Sequence, residues 1–307
     1  MLRRALAEGG AALRLHTAIV GRSPRLPAVK PRHRKFTRPS LGGVTLHALH
    51  RGEPGNPTLV LLHGGGGNVH WWDDLAVCFA DRFHVVALDF RGHGDSDHPD
   101  ELLVGAFSED LAALVEDLGG QPPLLVGHSL GGRVALDHAA GRGGVRGLVM
   151  LDVARGAPAG LGEATRRTLG IRRSYRSREE AVSRFRFLPE APNTPEATRC
   201  AIAERSVRRD PDGRYGFKFD PRWFGVATRP LPPLDRVACP TLVVRGERSP
   251  LLSDEGAKAW VAEIPGSELL VVPAAGHHVH LDRPQDVRGA LDRFFGRLER
   301  AETASRP

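Results

Sequence analysis

The chain has 307 residues, of which 41% are hydrophobic and 26% are charged, and its formal net charge at pH 7 is +7. This ordinary globular composition excludes disordered, collagen-like and low-complexity proteins. No apolar run approaches the roughly 20 residues that cross a bilayer, so we expect no membrane-spanning segment. The cysteines Cys78, Cys200 and Cys239 are far apart and form no CxxC pair. They indicate neither a disulfide framework nor a zinc knuckle, and they favour a cytoplasmic protein.

The positive charge is concentrated near the N-terminus. Residues 1–38 hold ten Lys and Arg and a single acidic residue, whereas the rest of the chain holds 33 basic and 35 acidic residues. Residues 1–40 lack the apolar segment of about 7–15 residues that marks a secretory signal. We expect residues 1–40 to form a flexible basic extension, with a transit-like peptide or an upstream start as alternatives. Because the basicity belongs to this extension, we predict no binding to nucleic acid.

From residue 43 onward, strand-like and helical segments alternate. Short runs that are β-branched or rich in Leu, bounded by Gly, Pro and Asp, predict strands, and apolar residues at helical spacing predict helices between them. The predicted strands are 43–51, 58–63, 84–90, 123–128, 147–152, 241–246 and 268–272, and the predicted helices are 69–80, 107–118, 130–140, 255–264 and 285–297. Such alternation predicts an α/β fold with a parallel sheet covered by helices on both faces.

The alternation stops near Ala154 and resumes at Cys239. The interval 155–233 contains several short helical candidates, many Pro and Gly, and 17 basic against 9 acidic residues. We interpret it as an inserted helical cap. The remaining core then consists of residues 41–154 and 234–298, followed by a C-terminal tail at 299–307.

A candidate nucleophile lies directly between a predicted strand and a predicted helix, in Gly127-His128-Ser129-Leu130-Gly131. A serine at such a tight turn sits in strained backbone, so the residues two positions away must be very small. Its hydroxyl projects from the sheet at the positive end of a helix dipole. We predict that Ser129 is a nucleophile, with a glycine-rich structural turn as the alternative.

A second glycine-rich loop, His63 followed by four glycines, comes after an earlier strand. Neither the phosphate-loop spacing nor the dinucleotide-binding spacing fits it, so we predict no cofactor. Glycines allow backbone N–H groups to turn toward a developing alkoxide. We therefore predict an oxyanion hole made by the N–H groups of Gly65 and Leu130, with Gly66 as the alternative donor and a merely tight turn as the structural alternative.

Four motifs in this order resemble the α/β-hydrolase superfamily: the His63-Gly64 loop, the hexapeptide Arg-Gly-His-Gly-Asp-Ser at 91–96, the turn around Ser129, and Gly276-His277. The resemblance covers about residues 40–298. It implies an eight-stranded, mostly parallel sheet, a cap inserted after the sixth strand, and nucleophilic hydrolysis without a cofactor. In such proteins the hexapeptide at 91–96 is mainly a structural turn.

The resemblance also implies a histidine base on the loop after the last strand. His277, His278 and His280 all lie there. The family pattern places the base immediately after Gly276, which selects His277, with His278 as the next candidate. Three clustered histidines also suggest a metal, but the His-Glu-x-x-His spacing of zinc enzymes is absent, and we predict no metal.

The acid departs from the commonest family pattern. Most relatives carry an aspartate three residues beyond the glycine that ends the seventh strand, and this chain has Ser249 there. The family also allows the acid at the end of the sixth strand, where this chain has Asp152. We predict Asp152 as the acid. The alternatives are Glu247, Asp254, the absence of a working acid, and a strand-end aspartate that only satisfies backbone amides.

Together these residues predict a carboxylesterase-like serine hydrolase that cleaves a small to medium ester, lactone or related carbonyl substrate through an acyl-enzyme with a Ser-His-Asp triad. Cleavage of a carbon–carbon bond on the same triad is one alternative, and a non-catalytic ligand-binding relative is another. The basic cap favours an anionic small molecule. Arginines such as Arg172, Arg173, Arg208 and Arg209 are nevertheless typical of a solvated basic face. The sequence predicts no particular oligomeric state.

Overall fold

The computed structural model describes residues 30–119, 121–155, 170–226 and 229–304. The strands are β1 Arg32–Phe36, β2 Leu46–Arg51, β3 Thr58–Leu62, β4 His84–Asp89, β5 Leu124–His128, β6 Gly147–Leu151, β7 Val207–Arg209, β8 Tyr215–Phe217, β9 Thr241–Gly246 and β10 Ser267–Val272. The α-helices are α1 Asp73–Phe79, α2 Ala106–Leu118, α3 Leu130–Gly141, α4 Arg178–Ser183, α5 Glu196–Arg205, α6 Asp254–Glu263, α7 Val279–Asp282 and α8 Pro284–Ala304. None of these described helices has the length and apolar composition needed to cross a bilayer.

Eight strands form one sheet in the order β1-β2-β4-β3-β5-β6-β9-β10. Strand β2 runs antiparallel to its neighbours β1 and β4, and the other neighbours pair in parallel. Strands β4, β5 and β6 are buried along their whole length, as expected where helices cover both faces. Helices α2, α3 and α6 contribute to the core on one face, and α1 and α8 to the core on the other. The predicted α/β fold and mostly parallel eight-stranded sheet are confirmed.

Strand β1 corrects one prediction. It lies within the range 1–40 that the sequence predicted to be a flexible extension, and that prediction is wrong for residues 32–36. The strand pairs with β2 from Arg32 opposite His50 to Phe36 opposite Leu46, and Phe36 joins the core. One of its basic residues is also paired, since Arg34 forms an ion pair of 2.8 Å with Asp117 of α2. Residues 1–29 lie outside the described part of the chain.

The segment between β6 and β9 is called the insertion here, and its described part is residues 170–226. It contains α4, α5 and the antiparallel hairpin of β7 and β8. The sequence predicted helices in this range and missed the hairpin, whose strands are only three residues long. The insertion is joined to loops at the carboxyl edge of the sheet, because Asn68 donates to the hydroxyl of Ser206 at 2.9 Å and the N–H of Asp220 donates to the carbonyl of Gly92 at 2.7 Å.

Candidate active site

Ser129 lies at the turn that joins β5 to α3. Its φ of 50° and ψ of −113° fall outside the regions that L-residues usually occupy. Such strain persists only where the surroundings enforce it, and it concentrates at functional sites. A Cβ at Gly127 would lie 2.4 Å from the backbone of Gly131, and a Cβ at Gly131 would lie 2.2 Å from the carbonyl oxygen of Leu62. The close packing of the turn on the sheet therefore explains why its flanking residues are glycines.

Asp152 follows β6 and, like Ser129, has a φ of 50°. Its fully buried carboxylate lies between His277 and the end of β9. One oxygen, Oδ2, is 2.7 Å from Nδ1 of His277, and the other, Oδ1, accepts the N–H of Gly246 at 2.8 Å. The structure thus brings the predicted base and the predicted acid into direct contact.

Ser249, at the position where most relatives were expected to carry the acid, contacts the same carboxylate. Its Oγ lies 2.5 Å from Oδ2 of Asp152. The Ser249 oxygen also accepts the N–H groups of Leu251 and Leu252, each at 3.2 Å. Because those two bonds use the oxygen as an acceptor, the hydroxyl proton is donated to Asp152. The serine that departs from the commonest family pattern is therefore a hydrogen-bond partner of the predicted acid, Asp152.

The two alternative carboxylates lie elsewhere. Glu247 is exposed and accepts the N–H of Ala274 at 2.8 Å. Asp254 begins α6 and forms an ion pair of 2.6 Å with Lys258. In the described structure neither carboxylate contacts His277.

His128 connects the turn at Ser129 to the backbone of His277, a role that sequence reasoning missed. Its Nε2 donates to the carbonyl oxygen of His277 at 3.0 Å, and the two rings are 4.6 Å apart. Burial holds the pKa of His128 well below its usual value of 6.5, so the ring is neutral. The adjacency of His128 to Ser129 was the only sign of this role in the sequence.

The loop of glycines after β3 packs on the nucleophile turn, since a Cβ at Gly64 would lie 3.4 Å from the Cβ of Ser129. The N–H of Gly66, the alternative oxyanion donor, is occupied because it donates to Nε2 of His93 at 3.2 Å. Within the described ranges, no residue accepts a hydrogen bond from the N–H of Gly65 or of Leu130. These two donors are available to a ligand.

One group of described side chains has the spacing for a metal ion, but it lies away from His277. Ligand atoms of His47, Asp89 and Asp95 all lie within 4.8 Å of one another. Asp89 already contacts Nδ1 of His47 at 2.7 Å and accepts the N–H groups of Val69 and Asp95. Asp95 also forms an ion pair of 2.7 Å with Lys218. The ammonium group of Lys218 supplies the positive charge beside Asp95, so both carboxylates are satisfied by protein groups.

Two further histidines, His278 at the start of α7 and His280 within it, follow His277 and are buried. Nε2 of His278 donates to the carbonyl of Pro189 at 2.9 Å, and burial lowers the pKa of His278 to about 3. His280 stacks on the indole of Trp72 with ring centroids 4.5 Å apart, and burial holds its pKa well below 6.5. The structure therefore places His277, and not His278, at the carboxylate.

These buried histidines predict a steep loss of stability in mild acid. His93, His128, His278 and His280 all have lowered pKa values because of burial. Above pH 6.5, about the pKa of a histidine in the unfolded chain, these rings are neutral in both states and do not oppose folding. Below this pH the unfolded chain binds protons that the buried rings exclude, so the free energy of unfolding falls. These four groups alone contribute a slope of up to about 5 kcal/mol of unfolding free energy per pH unit between about pH 6 and 4, and Asp110, whose pKa is raised by burial to about 6, offsets about a quarter of it.

Urea unfolding at pH 7.5, 6.5 and 5.5 measures this slope. In the described structure neither ring nitrogen of His280 has a hydrogen-bond partner. His280→Phe should therefore retain the stacking on Trp72 and reduce the slope by about 1.4 kcal/mol per pH unit. A free energy of unfolding that does not change between pH 7.5 and 5.5 would contradict the prediction.

A cavity of about 240 Å³ opens beside the glycine loop. Gly65, Gly66 and Trp71 line it from the core, and the insertion contributes Phe185, Phe217, Phe219, Phe224 and several arginines. The rings of Trp71 and Phe187 are 5.3 Å apart. Trp72, in contrast, is fully buried in the core. Of the two neighbouring tryptophans, only Trp71 lines this cavity.

Comparison with known proteins shows the family of this chain. Residues 59–290 match the model of the Alpha/beta hydrolase family. The chain is 28% identical over 265 residues to 2-(acetamidomethylene)succinate hydrolase of Mesorhizobium japonicum, covering 84% of this chain and 94% of that protein. It is also 28% identical over 261 residues to the mouse sn-1-specific diacylglycerol lipase ABHD11, covering 78% and 81% of the two chains.

Solved structures share the fold. An alpha/beta hydrolase from Novosphingobium aromaticivorans superposes with a TM-score of 0.72 at 27% identity, covering 89% of this chain and 99% of that one. The family match extends from β3 to beyond β10 and so covers six of the eight strands of the sheet. The chain therefore belongs to the alpha/beta hydrolase family and is an enzyme of this fold.

Proposed function

We propose that this enzyme is a serine hydrolase that cleaves small to medium esters, lactones or related carbonyl compounds through an acyl-enzyme. Ser129 is the nucleophile, His277 the general base and Asp152 the acid of the triad. The observation that carries the proposal is the 2.7 Å contact between Asp152 and His277. Both residues lie on loops at the same sheet edge as the strained Ser129.

The reaction follows from these positions. As Oγ of Ser129 attacks the carbonyl carbon, Nε2 of His277 takes its proton. Asp152 holds the proton on Nδ1 of His277 and stabilises the imidazolium. The N–H groups of Gly65 and Leu130 stabilise the oxyanion. His277 then gives its proton to the leaving alcohol, and a water molecule deprotonated by His277 releases the acid and regenerates Ser129.

We further propose that the insertion is a cap that covers this site. A Cβ at Gly65 would lie 3.7 Å from the ring of Phe224, and one at Gly66 would lie 4.0 Å from Phe219. Aromatic rings of the insertion therefore stand directly over the proposed oxyanion loop. Apolar walls with few polar groups are typical of pockets for small molecules. The two curated relatives bear the names of a hydrolase and a lipase, which supports turnover rather than a purely ligand-binding role.

Turnover of p-nitrophenyl esters with acyl chains of two to eight carbons tests the proposal. We expect saturable release of p-nitrophenol together with the free acid. A 1,3-diketone of similar size is the comparison substrate, because its hydrolysis to an acid and a ketone reports carbon–carbon cleavage. Failure of the folded enzyme to hydrolyse any ester would contradict the proposed function.

The contact between Ser249 and Asp152 predicts a moderate catalytic effect. Ser249→Ala removes a hydrogen bond to a charged group, which is worth about 1.5–3 kcal/mol. We expect kcat to fall about tenfold or more while KM changes little, because the bond positions the acid and does not touch the substrate.

Ser253→Ala is the matched control. Its hydroxyl accepts the N–H of Gly256 at 3.0 Å at the start of α6, so its loss should affect stability but not kcat. Wild-type kcat in Ser249→Ala would show that this hydroxyl does not support the acid.

A further inference from the structure

The outer part of the cavity carries unbalanced positive charge. Four arginines of the insertion line it, Arg172, Arg173, Arg184 and Arg186, and no acidic residue is among the described residues that line it. All four are exposed.

These arginines differ in their partners. Arg172 forms an ion pair of 2.6 Å with Asp210, a carboxylate that Arg208 also approaches at 3.3 Å. Arg186 donates to the backbone carbonyls of Ser183 and Phe185. For Arg173 and Arg184, the described parts of the chain offer no carboxylate at ion-pair distance.

The inner part of the same cavity is aromatic. The rings of Phe185 and Phe217 are 5.9 Å apart, those of Phe217 and Phe219 are 6.4 Å apart, and those of Phe219 and Phe224 are 6.0 Å apart. Phe219 and Phe224 reach the glycine loop. The cavity is therefore aromatic near Gly65 and Gly66, whereas the exposed residues of its lining are the four arginines together with Ile171 and Leu188.

We propose that the enzyme prefers substrates whose acyl chain ends in a carboxylate. This inference rests on the proposed serine hydrolase function. The scissile carbonyl lies at the glycine loop, the methylene chain lies between the aromatic rings, and the distal carboxylate binds Arg173 and Arg184. A guanidinium matches a carboxylate through paired N–H···O hydrogen bonds. The methylene chain of the substrate is then buried between the aromatic rings while its terminal carboxylate pairs with the arginines.

The charge pairing should appear mainly in substrate binding. The carboxylate is far from the reacting carbonyl, so it contributes equally to the ground state and the transition state and lowers KM more than it raises kcat. Because the arginines are exposed, the preference should weaken as ionic strength rises.

Two esters with the same leaving group and carbon number test the inference. They are mono-p-nitrophenyl adipate, which ends in a carboxylate, and p-nitrophenyl hexanoate, which ends in a methyl group. We expect wild-type kcat/KM to favour the adipate, and the double variant Arg173→Gln/Arg184→Gln to lower this preference about tenfold through KM.

The matched control is Arg176→Gln/Arg178→Gln. It removes the same charge from exposed positions of the insertion that do not line the cavity. It should leave the preference intact. Equal use of both esters by the wild type, or an equal loss of preference in the control, would overturn the carboxylate inference and leave the hydrolase function standing. Failure to hydrolyse either ester would overturn both.

Discussion

Replacing Ser129 with alanine is expected to reduce kcat for p-nitrophenyl esters by a factor of about 10⁴ to 10⁶. Without its oxygen no acyl-enzyme forms, and the remaining rate comes from the oxyanion donors and substrate binding alone. KM should change little because the hydroxyl contributes little to ground-state binding.

Ser129→Gly separates this loss from unfolding. The φ of 50° at this position strains any residue with a Cβ, whereas glycine adopts it readily. The glycine variant should therefore be as inactive as the alanine variant and at least as stable toward urea as the wild type. Retention of more than about a tenth of wild-type kcat in both variants would contradict a nucleophilic role for Ser129.

Asp152→Asn is expected to lower kcat by a factor of up to about 10⁴. An amide holds the imidazole of His277 less well in the required tautomer and does not stabilise its cationic form. Glu247→Gln is the matched control, because Glu247 is an exposed carboxylate that accepts the N–H of Ala274. Its kcat should stay within about twofold of the wild type. A large loss of kcat in Glu247→Gln with little loss of kcat in Asp152→Asn would show that Glu247, and not Asp152, is the acid.

The position of Ser249 allows a second substitution to restore activity to Asp152→Asn. Its Oγ lies 2.5 Å from the oxygen of Asp152 that contacts His277. In Asp152→Asn/Ser249→Asp, a carboxylate returns beside the imidazole from the end of β9 instead of β6. We expect this double variant to recover at least about tenfold in kcat relative to Asp152→Asn. No recovery in a folded double variant would mean that the carboxylate must come from position 152.

The central strands were predictable because their physical signal is strong. β4, β5 and β6 are buried on both faces and appear in the sequence as short, nearly continuous apolar runs. Strand β1 has the opposite character. Four of its five residues are exposed and polar, and only Phe36 is buried. Its pairing with β2 is a long-range property that composition does not reveal.

The candidate site was predictable to the extent that local geometry determines it. The glycines around Ser129 are required by a turn that packs tightly on the sheet, so their spacing predicts a strained serine between them. The acid was harder, because chain spacing does not show which carboxylate reaches an imidazole. The parallel pairing of β6 with β9, with Leu151 opposite Val244, brings Asp152 to Gly246 and Ser249. The contact from His128 to the carbonyl of His277 likewise depends on tertiary packing.

Covalent labelling with a fluorophosphonate is the sharpest test of Ser129 as an activated nucleophile, because this reagent reports an activated serine without requiring the natural substrate. Peptide mass spectrometry of the wild-type enzyme should show a phosphonyl adduct on the peptide that contains Ser129. The adduct should be absent from Ser129→Gly and form much more slowly in His277→Gln. An unlabelled, folded wild-type enzyme, or an adduct on another residue that persists in Ser129→Gly, would contradict a nucleophilic role for Ser129.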